Sequence, residues 1–83
     1  MTKGEYRVGV SFNPSNNPLV DEIKQKSADL IDAIGYISVP EGLDPDTVAT
    51  VMEIQRLKAL AQTCVEEAAM WAVKAATKPK WSN

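Results

Sequence analysis

The chain has 83 residues, a net charge of −2 and a pI near 5.0, with one cysteine and no histidine. One small domain with a marginal core is the expectation. No internal disulfide can form, zinc and general nucleic-acid polymer binding are disfavoured, and no apolar run reaches the length of a membrane span.

With neither metal nor disulfide to support so small a core, oligomerisation is the expected staple. The N-terminal "MTKGEYRV" carries no apolar signal stretch. With a free Cys64 this sets the expectation of a cytosolic protein.

Residues 1–5 read as loose chain. "YRVGVSF" (6–12) alternates, with Val8, Val10 and Phe12 on one side, and predicts a short strand or extended arm. Asn17 is a good N-cap and Pro18 suits the first helical position. Leu19, Val20, Ile23, Leu30, Ile31 and Ile34 recur at spacings of three and four, so a first long helix is expected over about 18–34, with Gly35 as its stop. Pro40, Gly42 and Pro45 break the chain again. Asp44 then caps a second helix, and no glycine or proline interrupts it from Thr47 to Lys78.

Some thirty residues of helix span ~45 Å against ~25 Å for the first. A hairpin of the two leaves part of the longer arm uncovered, and the apolar "CVEEAAMWAVKAA" (64–76) is the part expected to be bare. The predicted fold is all-α: a helical hairpin with an extended N-terminal arm, completing its core by forming a compact homo-oligomer. Gln55 and Gln62 interrupt a heptad seam, which argues against a simple parallel coiled coil. The single domain covers 1–83, with 79–83 expected to be a mobile tail.

No catalytic constellation is visible. Serine or cysteine catalysis lacks its histidine, and no glycine-rich phosphate loop opens a helix. Glu66 and Glu67 are adjacent, so on a helix they project ~100° apart and do not share a proton. The reading is a binding protein with no catalytic residue, metal or cofactor. Its candidate ligand groups are aromatic and basic: Phe12, then Lys24 and Lys26 on the first helix, then Arg56 and Thr63 two turns apart on one face of the second. Aromatic faces stack on bases and cations neutralise phosphates. Each group also has a plainer reading. Phe12 fits a core, Lys24 and Lys26 fit a solvated face beside Asp21 and Glu22, Arg56 fits a pair with Glu53, and Asn13 fits a turn.

"FNPS" (12–15) before a capped helix, followed by "RLKALAQTCVEEAAMWAVKAATKP" (56–79), resembles the hairpin domain of phage anti-CBASS sponges, which is shared with anti-Thoeris sponges. The resemblance covers about residues 6–78 and is most specific at "EEAAMWA" (66–72). It implies homohexamers of helical hairpins. Cyclic dinucleotides such as cGAMP would be held between protomers, and cyclic trinucleotides around three-fold axes. The ligand is sequestered rather than cleaved, which blocks antiphage signalling in the cytoplasm of the infected bacterial host.

The same resemblance implies roles for residues. Phe12 stands at the base-stacking aromatic position, where tyrosine is common. Lys26 is the phosphate contact, with Lys24 the alternative. Arg56, with Thr63 a weaker addition, is the trinucleotide candidate. Asn13 stands where many anti-CBASS members have histidine, which keeps the anti-Thoeris branch and its cyclic ADP-ribose ligands open. A purely structural or protein-interaction subunit is the competing class.

Overall fold

The computed structural model describes residues 1–82, so the expected mobile tail at 79–83 ends outside the described residues. Three helices follow in order: α1 (Lys3–Val8), α2 (Pro18–Gly35) and α3 (Pro45–Ala76). No strand occurs among the described residues. The two long helices form the expected hairpin. The N-terminal arm does not have the expected form.

Residues 2–5, expected as loose chain, are the cap and first turn of α1. The Thr2 hydroxyl accepts from the Glu5 N–H at 3.1 Å, and Glu5 Oε1 accepts from the Thr2 N–H at 2.8 Å. This reciprocal capping box satisfies two donors that a helix start leaves free. The Thr2 backbone N–H also holds the Glu5 carboxyl below its ordinary range.

α1 ends at Gly9, whose φ of 67° is left-handed. The Gly9 N–H donates to Tyr6 O and the Val10 N–H to Glu5 O, the paired bonds of a Schellman stop. The strand predicted over 6–12 is therefore replaced by a helix end and a turn. Its alternation spans a helix terminator.

α1 packs on α2 through Gly4 and Ala28, both buried, with backbone against backbone. The Gly4 N–H donates to Asp32 Oδ1 at 2.8 Å, so α2 supplies a partner for a free donor of the first turn of α1.

α2 and α3 begin at the predicted signals. Asn17 Oδ1 accepts from the Leu19 N–H at 3.0 Å with Pro18 in the first turn. Asp44 accepts from the Thr47 N–H at 3.0 Å with Pro45 behind it. Hydrogen bonding from Thr47, side chain first and backbone second, lowers the Asp44 pKa. α2 closes with its last turn intact: Lys58 of α3 donates to the carbonyls of Gly35 (3.0 Å) and Ile37 (2.7 Å), which no helical N–H reaches.

The register of the hairpin is fixed by side chains that bond to backbone. Gln62 is buried and donates to Ile31 O at 3.0 Å, while Asn17 Nδ2 reaches Ala76 O at 3.5 Å. α2 thus lies against the C-terminal half of α3. The arm that reaches beyond α2 is the N-terminal half, from Pro45 to about Leu57; the 64–76 stretch, expected to be bare, packs one face on α2 and keeps Cys64, Met70 and Trp71 exposed on another. The nine-residue connection from Tyr36 to Asp44 accounts for the difference. Extended chain covers more than ~3 Å per residue, so it carries α3 well past the end of α2 before the helix starts back.

Val20, Ala28, Ile31 and Ala69 form the small buried core. The inner face of α3 recurs at Val51, Ile54, Val65 and Ala69, all at least partly buried. A second apolar stripe, Leu57, Leu60, Cys64 and Trp71, lies on another side and is exposed. No helix is long and apolar enough to cross a membrane among the described residues.

Candidate functional site

The corner between α1 and α2 gathers most of the groups singled out in the sequence. Gly9 turns the chain off α1, and the Phe12 N–H returns to Gly9 O at 3.0 Å. Asn16 takes a left-handed φ of 56°, which asparagine tolerates, and its N–H donates to Asn13 O at 3.3 Å. Asn17 then starts α2. Two successive tight turns thus lie within nine residues.

Side chains clamp this corner from both sides. Asn13 Nδ2 donates to Asn17 O (2.9 Å) and to Asp21 Oδ1 (3.0 Å), and the Ser15 hydroxyl donates to Asn13 Oδ1 at 2.6 Å. From the other side Lys24, only 8% exposed, donates to Gly9 O at 3.1 Å and to Phe12 O. Its ammonium nitrogen lies 5.5 Å from the Phe12 ring centroid. Phe12 as a whole is 70% exposed. Phe12 is therefore not core, although the backbone that carries it is held firmly.

Two grooves flank the corner. The smaller, about 200 Å³, lies between Phe12, Asn13 and Lys24 on one side and Val73 of α3 with its C-cap Thr77 on the other. The larger, about 460 Å³, runs between α1 and α3 over Arg7, Val8, Thr63, Met70 and Val73. Lys24 lines both. The larger groove holds charges of both signs, because Glu66 and Glu67 line it together with Arg7 and Lys24.

Phe12, Asn13 and Lys24 come together, and Thr63 joins Lys24 across the larger groove. Lys26 and Arg56 stand apart. Lys26 is exposed and pairs with Glu22 at 3.0 Å, one turn away on α2. Arg56 is exposed and pairs with Glu53 at 2.6 Å. Neither lines either of these two grooves. Arg56 and Thr63 do share one side of α3, as their spacing requires.

Arg7 falls in the stretch expected as an extended arm, but it lies in the last turn of α1. Its Nε donates to Glu66 Oε1 at 3.0 Å, tying α1 to α3 along the larger groove. The signal was available: Thr2-Lys3-Gly4-Glu5 is a capping-box pattern, and it places Arg7 on a helix. No group of three His, Cys, Asp or Glu side chains lies together among the described residues. An exposed ring on a rigid corner, with cations beside it, can stack a flat group and meet an anion.

The chain matches the sequence model of the Acb2/Tad1 hairpin domain over residues 4–77. No curated protein and no solved structure matches it.

Proposed function

Because the chain belongs to the Acb2/Tad1 hairpin-domain family, we propose that it is a non-catalytic sponge for cyclic di- and trinucleotide immune messengers. It acts in the cytoplasm of the infected bacterial host, where it removes the signal that CBASS effectors require. The observation that carries this reading is the exposed Phe12 ring on its clamped corner. An aromatic this exposed contributes little to the fold, and a fixed ring loses little freedom when a base stacks on it.

Lys26 and Arg56 supply the charge. Their partners, Glu22 and Glu53, are surface neighbours on the same helices. Such pairs are worth about 0–1 kcal/mol, so a phosphate competes with them easily. Sites of this kind need more than one copy. A cyclic dinucleotide has near two-fold symmetry, and a two-fold interface presents two Phe12 rings and two Lys26 ammonium groups to it. A three-fold axis presents three Arg56 side chains, with Thr63 nearby, to a cyclic trinucleotide. The assembly proposed is a homohexamer of dihedral symmetry, which has both kinds of axis.

The family's joint description, covering Acb2 and Tad1, supports a second ligand class. Cyclic ADP-ribose isomers also combine a base with phosphates, and the same ring and cations suit them.

Calorimetry with cyclic dinucleotides, cyclic trinucleotides and cyclic ADP-ribose isomers tests the reading. Phe12→Ala and Lys26→Ala are expected to weaken dinucleotide binding at least about tenfold, the loss of one stacked base or one charged contact, and to spare trinucleotides. Arg56→Ala is expected to do the reverse. Absence of heat with every ligand at micromolar protein overturns the sponge. Loss of both ligand types in every variant overturns the separate pockets.

A further inference from the structure

We propose that Lys24 is a positioning residue that aims Phe12, and that it does not itself contact ligand phosphate. The proposal rests on the reading of Phe12 as the stacking ring. Lys24 and Lys26 look equivalent on the sequence, two basic residues in the second and third turns of one helix. Two residues apart, they point ~200° away from each other. Lys24 is buried and Lys26 is open to solvent.

A buried ammonium group has a large desolvation cost unless its charge is compensated. No carboxylate lies within ion-pair distance of Lys24 among the described residues. Compensation comes from two carbonyl dipoles and one ring face. The carbonyls belong to Gly9 and Phe12, the two ends of the turn that carries the ring. The ring is that of Phe12, 5.5 Å away. An ammonium has three donors. Two go to those carbonyls and the third side faces the ring, so little is left for a phosphate.

The same three contacts fix the ring. The Gly9 carbonyl already accepts from the Phe12 N–H, and Lys24 closes the turn from beneath through both of its ends. Lys24 therefore sets where the aromatic face points. Lys26, exposed and paired with Glu22, can meet the anion. The two lysines divide the work: one orients and one neutralises.

Two readouts separate positioning from contact. The first needs no ligand. Amide hydrogen exchange across residues 9–13 of the free protein is expected to rise at least about tenfold in Lys24→Met and to stay unchanged in Lys26→Met, because only the first loses the turn's inner bonds. The second is the salt dependence of affinity for cyclic GMP–AMP, since a direct charge contact is screened by salt and a positioning contact is not. Lys24→Met is expected to bind about tenfold more weakly at every salt concentration, parallel to wild type. Lys26→Met is expected to flatten the salt dependence.

Unchanged exchange in Lys24→Met overturns the proposal, and so does a flattened salt dependence in that variant. If wild type does not bind cyclic GMP–AMP, that part of the sponge reading fails while the exchange readout still decides the role of Lys24. Should Lys24→Met not fold, the wild-type Lys24 ammonium resonance decides instead. A slowly exchanging signal, unmoved by ligand, supports the turn; a signal averaged with solvent overturns it.

Discussion

Gly4 marks the closest approach between α1 and α2. A Cβ placed there would run into the backbone carbonyl of Ala28 and come within 2.8 Å of Asp32 Oδ1. Backbone cannot give way as a flexible side chain can. Gly4→Ala is therefore expected to lower stability by about 1–3 kcal/mol, the usual cost of overpacking. Gly35 offers the opposite case. It lies in the last turn of α2, and an added Cβ meets only the Gln62 amide, at an ordinary 3.5 Å. Gly35→Ala is expected to stabilise by about 0.5–1 kcal/mol. Urea unfolding of the two variants checks both signs, and a neutral Gly4→Ala contradicts the close contact. At this scale the sequence showed residue types but not their surroundings. Lys24 and Lys26 read alike because burial of one depends on α1 and the corner folding over α2. Asn13 was legible as a turn residue, and its three hydrogen bonds follow that reading.

Helix starts were legible wherever a cap stood next to a proline. Asn17–Pro18 and Asp44–Pro45 each combine a side-chain acceptor with a residue that needs no N–H donor, and both helices begin there. α1 was hidden by a competing pattern. Val8, Val10 and Phe12 alternate as a strand would, yet Gly9 sits between them in a left-handed conformation and ends a helix. The Thr2–Glu5 box and Gly9 together carried the correct information, start and stop of one short helix. The register of the hairpin was not legible. It depends on how far the Tyr36–Asp44 connection reaches, and on Lys58 and Gln62 finding α2 carbonyls, neither of which follows from periodicity. Gln62, which looked like a break in an apolar seam, is a register pin.

The whole molecule is a slab. Its extents are 61 × 29 × 12 Å and its radius of gyration is 16.9 Å, where a compact chain of this length has about 12 Å. The thin dimension is about one helix across. A single layer of helices cannot cover both of its faces, which leaves Leu57, Leu60, Met70 and Trp71 exposed. The sequence points to oligomerisation through a bare 64–76 arm, and the exposed stripe, which takes in Met70 and Trp71 of that stretch, leads to the same proposal. Burial of that stripe against other copies removes apolar surface at about 25 cal/mol per Å². Light scattering is expected to give a multiple of 9.1 kDa, and Leu60→Glu is expected to shift it toward the single-chain mass. A wild-type mass of one chain contradicts the assembly and with it the shared pockets.

Sequestration without chemistry is the central claim. The direct measurement is to incubate the protein in excess over cyclic GMP–AMP, remove the protein with its bound fraction, denature it and assay the released nucleotide. The account predicts that free ligand is depleted and then recovered intact in full. Ligand that stays free throughout, or that returns as linear or cleaved nucleotide, would contradict it.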